Sequence, residues 1–206
     1  MTRLILTRHG QTEWNVKGFV QGALDSPLSD AGIEQARRLS ARLAGEKIDH
    51  IYSSPLGRAV STARLIADPR HLQVCECPEF REISFGQWEG KSWKQLRSNE
   101  PELFAQWEAC PYLFRFPQGE VMEDVLLRAK PRLHRLIEAH PGETICVVSH
   151  GITLKVLVTD LMGYSLADWL ETPWQSNTAL NIFEVEGNQV RALVLGDNSH
   201  VESSTA

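Results

Sequence analysis

Two segments of the chain share one local form. Leu4-Ile5-Leu6-Thr7-Arg8-His9-Gly10 and Ile145-Cys146-Val147-Val148-Ser149-His150-Gly151 each run from apolar residues into a histidine and then a glycine. Each apolar run reads as a buried strand. In an open α/β sheet, ligands sit at the carboxyl ends of the strands. Two neighbouring strands of this kind bring both imidazoles to one place. The glycines let the backbone pass close to a ligand. A helix that follows aims its free N–H groups and positive end at the same point, which suits an anion. Arg8 adds a guanidinium able to clamp phosphate through paired hydrogen bonds. Arg58, in the first turn expected after Ser54-Pro55, is a second candidate just beyond a strand.

Such a cluster favours a phosphate dianion, and one histidine can do more than bind it. Neutral imidazole is a nucleophile. Adjacent arginines push its pKa down and keep it neutral near pH 7. In-line attack on phosphorus would give a phosphohistidine. Phosphoryl transfer is catalysed mainly by positioning and charge stabilisation. The leaving alcohol needs a proton, which a carboxylic acid with a raised pKa can supply. Glu79, Glu82 and Glu89 all fall in the right stretch, and composition does not choose among them. His50, His71, His134, His140 and His200 read as structural. No His-x-His or HExxH spacing occurs, so no metal site is expected.

The elements that must position these groups alternate. A strand over residues 4–7 is followed by a helix start at Pro27-Leu28-Ser29-Asp30, with Ser29 or Asp30 as cap. A second strand at 48–52 leads to a helix beginning at Ser54-Pro55. Val121 to His140 has helical periodicity, with Pro131 predicting a kink or break. A strand at 144–148 and a helix from Ile152 to Met162, stopped by Gly163, come next. Leu180–Val185 and Val190–Leu195 flank Gly187-Asn188 as a hairpin. The tail from Glu202 to Ala206 is expected to be loose. This order predicts an α/β fold with helices on both faces of the sheet. Residues from about 78 to 119, with Trp88, Trp93 and Trp107, read as a mostly helical insertion over one end of it.

With 206 residues, the chain suits one domain, 1–206. Acidic residues outnumber basic ones, 26 to 21, giving a net charge of −5. That argues against a general nucleic-acid surface and leaves room for a local basic pocket. No apolar run approaches a membrane span, and the N-terminal apolar stretch is too short for a secretory signal. Cys75, Cys77, Cys110 and Cys146 form no CxxC pairs. They are expected to be reduced packing residues in a cytoplasmic protein.

Leu6-Thr7-Arg8-His9-Gly10-Gln11-Thr12-Glu13-Trp14-Asn15 resembles the RHG signature of the histidine phosphatase superfamily, the phosphoglycerate mutase-like proteins. Further blocks follow in family order. They are Gln21-Gly22 with Asp25 to Ser29, Tyr52 to Ala59, Arg81-Glu82-Ile83 through Gly90, and Val148 to Gly151. The resemblance implies that His9 becomes phosphorylated, and that Arg8, Arg58 and His150 hold the phosphoryl group. It makes Glu82 the proton donor. It places Asn15, Gln21, Gly22 and the backbone of Gly151 around the site. The implied fold is a three-layer α/β/α sandwich with a mostly parallel sheet and a small helical cap. No metal or organic cofactor is implied.

The resemblance also bears on the reaction. Family phosphoglycerate mutases are usually longer after the acid, where extra sequence closes over the phosphoenzyme. Here the path from Glu82 to His150 is short, which favours hydrolysis over transfer. Gly151-Ile152-Thr153-Leu154-Lys155 with Leu166 and Trp169 resembles the small broad-specificity PhoE-like phosphatases. The expectation is therefore a metal-independent phosphatase of small phosphomonoesters, with a possible homodimer through the C-terminal hairpin. Alternatives are a phosphoglycerate mutase, an alpha-ribazole phosphate or phosphoserine phosphatase, and a phosphate-binding module without turnover. Phe85, Trp88, Trp107, Tyr112, Phe114 and Phe116 either pack the cap or receive an apolar part of the substrate.

Overall fold

The computed structural model describes residues 1–202. In chain order the elements are β1 (Thr2–Arg8), α1 (Glu13–Lys17), α2 (Asp30–Arg42), β2 (His50–Ser53) and α3 (Gly57–Ala67). Next come β3 (Val74–Glu76), α4 (Trp93–Asn99), α5 (Pro101–Ala109), α6 (Met122–Ala139) and β4 (Thr144–Ser149). The last are α7 (Gly151–Leu161), β5 (Leu180–Glu186), β6 (Gln189–Asp197) and α8 (Ser199–Glu202). The six strands form one sheet in the order β3-β2-β4-β1-β5-β6. The first four in that order pair in parallel, while β5 and β6 add antiparallel at one edge. The sheet is thus mostly parallel, as expected.

Alternation along the central strands builds two cores. Leu4 and Leu6 face one side with Ile145 and Val147, against Ala129 and Leu133 of α6 and Leu154 and Leu157 of α7. Ile5, Ile51, Cys146 and Val148 face the other side, against Leu39 of α2 and Ala59, Ala63 and Ile66 of α3. Both faces are covered, so the parallel strands read as continuous apolar runs. Helices, sheet and helices make the three layers.

Several local expectations are refined. Ser29 caps α2 through a bond from Gly32 N to its Oγ. α3 starts at Gly57, two residues beyond Pro55. The hydroxyl of Ser54 is engaged by His150, and the helix N-terminus is capped instead by Asp25, which accepts from Gly57 N at 2.5 Å. α6 runs through Pro131 as one helix, without the break considered from sequence. Pro131 and Leu127, whose carbonyl loses its helical partner, both lie on the exposed face where water can serve. All four cysteines are free, but only Cys77 and Cys146 are buried; Cys75 is exposed and Cys110 half-buried. The expectation that all four are packing residues therefore fails for Cys75 and Cys110. The tail expectation lies, beyond Glu202, outside the described residues.

Residues 78–119 carry two short 3₁₀ turns, at Pro78–Phe80 and Gly86–Trp88, then α4 and α5. Trp88 is fully buried at their centre, stacked on Phe104 at 5.8 Å between centroids and packed with Phe114 and Phe116. Its indole N–H donates to Glu100, which also pairs with Lys91. This third core extends onto Met122 and Val125 of α6 and Ile152 and Val156 of α7. The insertion is thereby anchored beside the carboxyl ends of β1 and β4.

Candidate active site

β1 and β4 are adjacent and in register, with Arg8 opposite Ser149. The residues that follow, His9 and His150, therefore leave the sheet side by side. His9 N donates to Ser149 O, and the two imidazoles meet edge to face at 5.2 Å between centroids. Both rings are buried. His9 Nδ1 lies 2.7 Å from the carbonyl of Gly10. A carbonyl only accepts, so Nδ1 carries the proton and Nε2 keeps its lone pair. Burial, with Arg58 and Arg8 beside it, holds His9 well below the ordinary imidazole range. Burial and Arg58 do the same to His150. Both rings are neutral at pH 7.

The guanidiniums are held from behind. Arg58 donates through Nη1 to Leu24 O and Asp25 Oδ1, at 2.7 and 2.9 Å, and through Nη2 to Gly22 O at 2.8 Å. Arg8 donates through Nη1 to Gln175 O at 2.9 Å. Burial pushes the Arg8 pKa down to about 10, which still leaves a cation at neutral pH. Gly22 sits at φ +55°, and a Cβ there would meet the Glu89 carboxylate at 2.3 Å. Glycine therefore allows this turn to present its carbonyl to Arg58.

Glu82 is buried at the N-terminus of α7. Its Oε1 accepts from Ile83 N and Thr153 N, and its Oε2 accepts from Ile152 N at 3.2 Å. The Thr153 hydroxyl lies 3.1 Å from Oε1 and 2.8 Å from Arg81 O. Arg128 on α6 fixes the backbone beneath, donating to the carbonyls of Glu79, Arg81 and Glu82 while paired with Glu120. The other two candidate acids are used elsewhere. Glu89 Oε1 accepts from Ala23 N and Phe85 N, and Glu79 faces Arg135.

Arg8, His9, Asn15, Gln21, Gly22, Arg58, Glu82 and Gly151 line one cavity of about 430 Å³. His150 stands immediately behind His9, so every residue expected at the site is brought together. Eight buried side-chain polar atoms lack a hydrogen-bond partner among the described residues. Five belong to this region: Arg8 Nε, Arg58 Nε, Gln21 Oε1, His150 Nδ1 and Trp107 Nε1. Buried polar groups are ordinarily paired, and such a concentration marks groups shaped for a ligand.

The remaining wall is largely aromatic, with Phe19, Phe85, Trp93, Phe104, Trp107 and the half-exposed Trp174, and carries the ion pair of Arg97 with Glu108. Of the six aromatics singled out in sequence, Phe85 and Trp107 reach the cavity, while Trp88, Phe114 and Phe116 pack the cap core, with Tyr112 against it. Sequence reasoning missed Trp174, Gln175 and Asn177. Asn177 donates to both His9 O and Asn15 Oδ1. These residues lie past the last recognisable motif, in a segment without periodicity. Asp25 stood in a matching block without a role, and Arg128 was missed, since each acts through another residue.

Residues 4–198 match the model of the histidine phosphatase superfamily, branch 1. Phosphoserine phosphatase 1 of Hydrogenobacter thermophilus is 33% identical, over 98% of this chain and 95% of its own length. The Yersinia pestis protein named Probable phosphoglycerate mutase GpmB is 33% identical, over 84% of this chain and 88% of its own. Among solved structures, Bacillus stearothermophilus YhfR superposes with a TM-score of 0.92 at 36% identity, covering 98% of this chain and 100% of that one. The alpha-ribazole phosphatase of Shigella flexneri gives 0.85 at 30% identity, covering 95% and 96%. The chain belongs to the histidine phosphatase superfamily. It is of the phosphoric monoester hydrolase class, acting on small phosphate compounds. No described helix is long and apolar enough to cross a membrane.

Proposed function

We propose that this chain hydrolyses small phosphate monoesters in two phosphoryl transfers, with His9 carrying the phosphoryl group between them. The observation that carries this reading is the set of buried, unpartnered polar atoms of Arg8, Arg58 and His150 gathered around a neutral His9. In the first step, His9 Nε2 attacks phosphorus and the P–O ester bond breaks. Glu82, acting as the acid, gives a proton to the departing alcohol. In the second step, water attacks phosphorus and the P–N bond breaks. Glu82 takes the water's proton, inorganic phosphate leaves, and His9 is regenerated. Arg8 and Arg58 supply the positive charge that phosphoryl transfer needs, so turnover is expected to survive a chelator.

The insertion over 78–119 selects the alcohol part in this reading. Its aromatic wall suits an apolar or aromatic group, with Arg97 the one cation added among the cavity residues it supplies. The chain then works as one catalytic domain on free metabolites, in the cytoplasm and without a nucleic-acid partner. The net charge and free cysteines support that setting. β6 is one of the two sheet edges, with Val190 and Leu193 exposed, and is the surface on which a second copy would pair; sedimentation tests it.

Phosphate release from phosphoserine, alpha-ribazole phosphate, 3-phosphoglycerate and an aryl phosphate, with EDTA present, tests the activity. Hydrolysis lost in His9→Ala supports the proposal. Exchange of phosphate between phosphoglycerate isomers in preference to release would establish the mutase reading instead. Tight phosphate binding without turnover would identify a binding module.

A further inference from the structure

Two histidines and a glutamate that play no part in the phosphate site converge at the other end of the sheet. His50 opens β2, and its Nε2 lies 2.9 Å from Glu143 Oε2. His140 follows α6, and its Nδ1 lies 2.8 Å from the same oxygen. The two rings are 3.9 Å apart between centroids, tilted by 30°. One ligand atom from each of the three residues fits within a span of 4.8 Å. The other nitrogen of His140 meets the Tyr52 hydroxyl at 2.7 Å. His50 and Glu143 are both about 40% exposed, so an ion has a way in and room for water. Lys47, near Glu143, is paired with Asp49.

We propose that His50, His140 and Glu143 form a site for a divalent transition-metal ion, of which Zn²⁺ is the representative, distinct from the phosphate site. Two imidazoles and one carboxylate suit zinc, nickel, cobalt or copper, and not magnesium or calcium, which prefer all-oxygen sites. Three protein ligands leave one position for water. Tetrahedral coordination at the usual bond lengths needs ligand atoms about 3.3 Å apart. The partly exposed His50 and Glu143 side chains have room to readjust together to that spacing. On binding, His50 Nε2 and His140 Nδ1, the ring nitrogens that now face Glu143, each present a lone pair to the ion. His140 shifts its proton to Nε2 and donates it to the Tyr52 oxygen, an outer contact of the kind that orients metal-bound imidazoles. His50 shifts its proton to Nδ1. The ion would tie the turn between α6 and β4 to the start of β2. Its role is to brace the fold, and it takes no part in the phosphatase steps.

Calorimetric titration of the full chain with Zn²⁺ tests this, with the melting temperature as a second readout. The expected result is one Zn²⁺ per chain, with a rise of a few degrees in Tm. Binding should weaken about tenfold or more in His50→Ala and roughly tenfold in Tyr52→Phe. It should be unchanged in His9→Ala, which excludes the catalytic imidazoles as ligands, and excess Mg²⁺ should not compete. Circular dichroism verifies that His50→Ala is folded. No saturable binding to the wild type would overturn the proposal. So would undiminished binding in His50→Ala, or binding lost in His9→Ala.

Discussion

At His9 the chemistry turns on which ring nitrogen carries the proton. The Gly10 carbonyl fixes it on Nδ1, and burial with the two guanidiniums keeps a second proton away. Acidification to pH 6 should therefore not silence the nucleophile, and the acid limb of kcat/KM is expected below the ordinary imidazole range. Removing a guanidinium should move that limb to higher pH. Arg8→Met, followed by a pH–rate profile, checks it; an unmoved limb would separate Arg8 from the nucleophile. Glu82→Gln should slow alkyl phosphates more than aryl phosphates, because only poor leaving groups depend on the proton. A Brønsted series reads this directly, and equal losses across the series would remove Glu82 as the acid. Arg8, His9 and His150 were legible from spacing alone. The choice of Glu82 over Glu79 and Glu89 was not, since it depends on which carboxylate faces the cavity. Only the resemblance, and then the cavity itself, separates them.

Elements deliver these residues, and their junctions are where the site is most easily spoiled. The turn after β1 lies directly on the N-terminus of α2. A Cβ on Gly32 would come within 1.9 Å of Gln11 O, and one on Gly10 within 2.4 Å of Gly32 O. Both obstacles are backbone, so neither can swing aside. Gly32→Ala is expected to cost more than about 2 kcal/mol of stability and to lower activity by displacing His9; a urea melt and kcat measure both. Arg128→Ala should release three carbonyls around Glu82 and leave Glu120 with only Arg81 and Ser84 N as partners. A loss of about 2–3 kcal/mol is expected, with kcat falling more than KM rises. The main strands and helices were legible because burial on both faces imposes apolar runs and helical stripes. α1 was not, because it is one short turn with no buried residue. Nor was the Trp174–Asn177 segment, whose conformation comes from contacts with β1 and Arg8. The His50–His140–Glu143 cluster was likewise hidden, because its members meet only through the fold.

Across the whole molecule, the buried neutral imidazoles set how stability depends on pH. The folded pKa values of His9 and His150 are both depressed, so below about pH 6.5 the unfolded chain binds protons that the native state refuses. Stability is then full above the unfolded pKa and declines as pH falls through it. The decline approaches about 1.4 kcal/mol per pH unit for each ring. His200, also depressed by burial, adds in the same direction. The depressed carboxylates, such as Glu120 and Asp124, act only at lower pH, around and below their ordinary values. Urea midpoints should therefore drop between pH 6.5 and 5.5, and drop less in His150→Asn. A flat profile over that range would mean that these rings accept protons in the native state. At the same scale, the layered sandwich was legible from element order, and the 78–119 stretch stood out by its tryptophans and prolines. The insertion's inner wall was not, since whether Trp88 or Trp107 faces the cavity depends on packing that periodicity does not reveal.

The central claim is that the phosphoryl group rests on His9 during turnover. Its most direct test is to quench the enzyme in alkali during hydrolysis of a phosphorus-labelled monoester and map the label by peptide. The account predicts an acid-labile label on the peptide carrying His9, chased by unlabelled substrate. It also predicts that His9→Ala carries no label and loses activity by roughly 10³-fold or more. Steady release of phosphate with no label on His9, or full turnover by His9→Ala, would contradict it.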